Sequence, residues 1–94
     1  MASKNVKFKV TKQNVKAYEL DVGLDQVPMG NNDEGTLAVT TGKEQLLIWR
    51  FSGDPGGKLS IVGSVGQKTV VEVKQSTIPP QRIHAAGIKP FTVD

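Results

Sequence analysis

The sequence contains no cysteine. Disulfides, thiolate nucleophiles and cysteine-ligated zinc are excluded together, so burial and hydrogen bonding alone must hold the fold. A single histidine, His84, rules out any metal site that needs two imidazoles. Aromatic residues make up only 5% of the 94 positions, too few to interleave with basic residues as a stacking platform for nucleic-acid bases. Long apolar runs are missing as well. The longest, Leu46-Leu47-Ile48-Trp49, falls far short of the ~18 residues of a membrane span or the ~7–15 of a secretory signal core. A soluble chain without a signal segment is expected, with a cytoplasmic location favoured. No window of about 11 residues carries apolar positions at i, i+3, i+4 and i+7 without a glycine or proline interrupting it. Helix is therefore not expected.

What is present is alternation. Val6, Phe8 and Val10 alternate with Lys7, Lys9 and Thr11, and Tyr18, Leu20 and Val22 repeat the pattern after a polar Lys12-Gln13-Asn14 stretch. The period of two marks strands with one buried face, and the polar interruption reads as the turn of a hairpin. Further strand-like segments occupy 36–41, 45–52, 58–62, 68–74, 82–86 and 90–93. Glycine-, proline- or polar-rich stretches separate them, the longest being the loop at 23–35. A composition of 37% hydrophobic and 22% charged residues is that of a globular chain, and its length suits one core. The expected architecture is a single all-β domain over residues 1–94. It would be an antiparallel β-sandwich of the immunoglobulin-like or jelly-roll-like kind, with about seven to eight short strands.

One segment departs from the half-buried pattern. On a strand, Leu47, Trp49 and Phe51 share one face and Leu46, Ile48 and Arg50 the other, so both faces are largely apolar. The outer face of a two-layer sandwich is normally wet, and an apolar one implies a cover. Leu46, Ile48 and Arg50, with the off-phase Val62 and Val70, form a candidate interaction face for a protein partner or a second copy of the chain.

A second reading is a small carbohydrate-binding module. Trp49 could stack on a sugar ring, with Arg50 and Asp54 as polar partners and Asn32, Asp33 and Arg82 contributed by loops. A third is polyanion binding through Lys4, Lys7, Lys9, Lys12 and Lys16. Residues 1–17 hold those five lysines and no acid, but residues 18–54 hold seven acids against two bases, an alternation that suits paired strands better than a continuous phosphate track. Nucleic acid is disfavoured on that ground, and the lysines read instead as guards of an exposed edge strand.

Motifs of catalysis fail on named residues. Gly53-Asp54-Pro55-Gly56-Gly57-Lys58 has the wrong spacing for a phosphate-binding loop, and Leu59 stands where a hydroxyl residue belongs. No Gly-x-Ser-x-Gly elbow accompanies His84, which sits beside Ala85 and Ala86 as a surface residue would. Glu19 and Asp21 share a strand face, but acid–base work would require a cleft around them. A non-enzymatic domain with no cofactor and no metal is expected.

Overall fold

The computed structural model describes residues 2–94. Six strands, β1 (Ser3–Val22), β2 (Asp25–Gln26), β3 (Glu34–Thr40), β4 (Glu44–Val65), β5 (Lys68–Thr77) and β6 (His84–Thr92), form one antiparallel sheet. No helix occurs among the described residues, and none could therefore cross a membrane. The all-β expectation holds. In place of seven to eight short strands, the sheet has six, two of them very long.

The difference comes from three expected breaks that the strands run through, at Asn14, at Gly53–Gly57 and at Gly87 within β6. Residues 6–10 and 15–22 are not the arms of a hairpin but one strand, β1, running on through Asn14. Segments 45–52 and 58–62 are likewise one strand, β4, and the two pair antiparallel from Lys7↔Ser64 to Val22↔Leu47. Around the middle of this pairing Gln13 faces Lys58 and Val15 faces Gly53, so Asp54–Gly57 bulge out of β4 opposite Asn14. Asn14 takes a left-handed φ of 59°, which asparagine tolerates better than most residues. Gly57 has to be glycine for lack of room, since a Cβ there would lie 2.6 Å from the Asn14 carbonyl oxygen. The polar and glycine-rich stretches thus mark a shared bend rather than chain reversals.

The bend divides the sheet into halves. Beyond it on one side, β3 pairs with β1 and β5 with β4; on the other, β2 pairs with β1 and β6 with β4. Alternation survives the bend on both strands. Even positions of β1 (Val6, Phe8, Val10, then Leu20, Val22) and odd positions of β4 (Leu47, Trp49, Phe51, then Leu59, Ile61) are buried in one cluster with Ile78 and Phe91. Ile78, ahead of Pro79-Pro80, plugs the bend: its backbone exchanges hydrogen bonds with Gly56 and Gly57, and its side chain is fully buried. The segment after it crosses from the β5 half to the β6 half.

Trp49 anchors the β6 half. Its indole is 7% exposed and donates to Ser76 Oγ on β5 at 3.0 Å. Gly87, its cross-strand partner on β6, leaves the ring its space, since a Cβ at that position would overlap indole atoms. The buried ring has little freedom to move aside. Gly87→Ala is therefore expected to destabilise the fold by about 1–3 kcal/mol, the range of overpacking in a filled core. Urea denaturation followed by tryptophan fluorescence measures the change.

Candidate interaction face

The outer surface of the β6 half carries the candidate site. Cross-strand register builds it in rows over three strands: Ala17, Ser52 and His84; then Glu19, Arg50 and Ala86; then Asp21, Ile48 and Ile88; and last Leu46 beside Pro90. Leu46 and Ile88 are 39% and 58% exposed, and Ile48 between them is half-buried. This is the apolar outer face expected of residues 46–50, and nothing within the described chain covers it.

Alongside the apolar cluster lies an open trough of about 660 Å³, lined by Ala17, Glu19, Arg50, Ser52, His84 and Ala86 among others. Small side chains make its floor. Arg50 stands at its edge with one guanidinium nitrogen 3.1 Å from both Glu19 Oε2 and Asp21 Oδ2. The fork is held by two carboxylates from the neighbouring strand, of which Asp21 is the more buried. Glu19 and Asp21 are thus committed to Arg50. Ser52 and His84 are cross-strand neighbours in the trough, but among the described residues no hydrogen bond joins them. Glu19 and Asp21 face Arg50 rather than the imidazole, which a nucleophile–base pair would need a carboxylate to orient.

Other residues singled out in the sequence are placed elsewhere. Val62 lies between Lys9 and Glu72 beyond the bend, and Val70 sits at a register shift between β4 and β5, so neither extends the Leu46–Ile48 cluster. Trp49 faces the core and is largely buried. Asp54 is on the bulge, 3.7 Å from Lys16 Nζ, and Arg50 points outward from the other side of β4. The trio is not brought together. Arg82 and Asn32 are exposed on separate loops.

Asp33 has a structural task. It accepts a 2.6 Å hydrogen bond from Tyr18 Oη and lies 3.4 Å from Lys12 Nζ, which also stands 5.4 Å over the Tyr18 ring. This latch fastens the loop before β3 to β1. Burial, then the hydrogen bond and charge of Asp33, push the Tyr18 hydroxyl above its ordinary range. Asp33 moves the other way: the Tyr18 hydrogen bond lowers its carboxyl, desolvation opposes this, and Lys12 lowers it further.

Lys7 and Lys9 do not guard an edge, because that part of β1 lies between β3 and β4, whereas Lys12 and Lys16 lie on a stretch of β1 that pairs with β4 alone. The lysines of β1 do not form an open basic track either. Lys7 pairs with Glu34 at 3.2 Å, Lys12 with Asp33 and Lys16 with Asp54, while Lys4 donates to the Asp94 carbonyl. Such exposed pairs add little stability, but they offset most of the local positive charge.

Sequence reasoning missed Ile88 and Pro90 as members of the face. The alternation of β6 was hidden by Gly87, read as a break between two short strands. No protein-family model, curated protein or solved structure matches the chain at a significant level.

The latch makes a pH prediction. A carboxyl held below the ordinary aspartate value of about 3.9 stabilises the fold above that pH, and the contribution is lost as pH falls through the lower folded value. Tyr18→Phe is expected to move the Asp33 titration upward toward about 3.9 and to narrow the acid-induced loss of stability. NMR titration of the Asp33 carboxyl carbon checks both the direction and the cause.

Proposed function

We propose that the chain is a non-catalytic interaction module that docks on protein through the outer face of the β6 half, with a second copy of itself as the partner. The observation that carries this reading is the contiguous cluster of Leu46, Ile48, Ile88 and Pro90 on a sheet surface that would ordinarily be polar. Apolar residues in the middle, with the Arg50–Glu19–Asp21 ion pairs at the margin, are the anatomy of a protein interface: a dry centre and a charged rim. Arginine held rigid by carboxylates loses little freedom on docking and supplies a flat surface for a partner to pack on. A sandwich-like reading of the folded sheet, supported by a single core cluster that draws on both halves, leaves this face on the outside.

The committed carboxylates and the unoriented His84 support a binding role over a chemical one. The Ala17–Ser52–Ala86 floor of the trough suits reception of a side chain from the partner. In sedimentation equilibrium from micromolar to millimolar concentration, the average mass should rise above the 10.1 kDa of one chain. Ile88→Lys, at an exposed position, should weaken that association by about tenfold or more while leaving the fold intact, because docking would bury an unpaired charge. A mass of one chain throughout, or association indifferent to Ile88→Lys, contradicts the proposal.

A further inference from the structure

Natural sheets protect their edges with charge, proline, brevity or a cover. β2 is two residues long, and β6 carries Lys89 and Pro90. β5 carries Lys68, Glu72 and Lys74, and its Glu72 carbonyl accepts the Lys89 ammonium at 2.6 Å. β3 differs from all of these. Its last five residues, Thr36-Leu37-Ala38-Val39-Thr40, contain no charge, no proline and no glycine.

The direction in which β3 presents its backbone follows from its hydrogen bonds. Thr41 N–H donates to Ala2, and Val10 N–H donates to Asp33, so odd residues of this stretch turn their amides and carbonyls toward β1. Even residues turn theirs outward, as shown by the Glu34 carbonyl, which accepts from Gly30 N–H. The 28–30 segment covers the edge at Gly35, and the Gln45 side chain reaches the Thr40 carbonyl at 3.3 Å. Between these caps, the N–H and C=O of Ala38, the N–H of Thr40 and the C=O of Thr36 face outward. Among the described residues, no strand pairs with them.

We infer that the β3 edge is a second self-association site, at which two copies pair β3 with β3 antiparallel about a two-fold axis through Ala38. In this register Ala38 faces Ala38 of the other copy and exchanges two hydrogen bonds with it. Each Thr40 N–H meets the Thr36 carbonyl opposite, adding two more. Side chains agree with the pairing. On the outer face Thr36 meets Thr40 and the two Ala38 methyl groups meet, while on the inner face Leu37 meets Val39 and extends the apolar layer of each core. No like charges are opposed. The operation is isologous, so it closes on two copies and joins the two half-sheets into one continuous sheet. It uses neither Leu46 nor Ile88 and stands apart from the docking face proposed above.

The test uses the full chain carrying Ile88→Lys, in which the outer face is blocked. Sedimentation equilibrium on this protein should show a dimer at millimolar concentration, and the amides of Ala38 and Thr40 should gain protection from hydrogen exchange as concentration rises. Adding Ala38→Lys, at an exposed side chain, sets two ammonium groups face to face and should return the protein to one chain; Ala38→Glu should do the same. An equimolar mixture of the two should recover the dimer, because lysine then faces glutamate, and this recovery shows that neither variant lost association by unfolding. A monomeric Ile88→Lys protein at millimolar concentration, a dimer that survives Ala38→Lys, or a mixture that stays monomeric overturns the inference.

Discussion

Everything in this fold hangs on the antiparallel pairing of β1 with β4 through a common bend. The two strands run side by side on both sides of Asn14 and the Asp54–Gly57 bulge, and every other strand is attached to one or the other. Side-chain parity gives the pairing its force. A strand that slipped by one residue would carry Val6, Phe8 and Leu20 to the solvent face and their lysine and acid neighbours into the core. The bulge absorbs its extra residues without disturbing that parity, so each strand buries the same phase before and after it. Ile78 fills the space the bend opens, and Gly53 and Gly57 let the two backbones approach there. The bend is packed as tightly as the sheet it interrupts.

The inward phase of nearly every strand was legible in the sequence, because period-two alternation depends only on which side chains avoid water. Pairing was not legible, because it depends on contacts between residues far apart in the chain. Lys12-Gln13-Asn14 and Gly53–Gly57 carry the residues of turns, and a bend in a paired strand needs the same left-handed and open backbone that a turn needs. Only the presence of the partner strand distinguishes the two. Lys7 and Lys9 show the same limit: lysine on an outer sheet face and lysine on an edge look alike in sequence, and the position of β3 decides between them.

The docking face was half legible. Leu46 and Ile48 stood out because they break alternation within their own strand, whereas Ile88 follows alternation on a strand that Gly87 made hard to recognise. That glycine serves Trp49, whose ring occupies the space a side chain would take. The same ring, which the sequence suggested as a platform for a sugar, is largely buried. Asp33, in the polar loop, became a latch for Tyr18 and Lys12 instead of a ligand. In each case a residue with chemical potential was claimed by its neighbours. The outer face of β4 and β6 and the outward edge of β3 are left with exposed apolar area or backbone groups that no described residue engages.

Both surfaces depend on the register of β1 against β4, since that pairing sets which side of β4 faces out and which side of β1 accepts β3. Nuclear Overhauser contacts between backbone protons of paired strands test it most directly. Contacts of Val10 with Ile61 and of Leu20 with Trp49 are expected in the same molecule, on opposite sides of the bend, and none between residues 6–10 and residues 15–22. Contacts of Phe8 or Val10 with Val15 or Tyr18, as a hairpin closed at Asn14 would give, would contradict it.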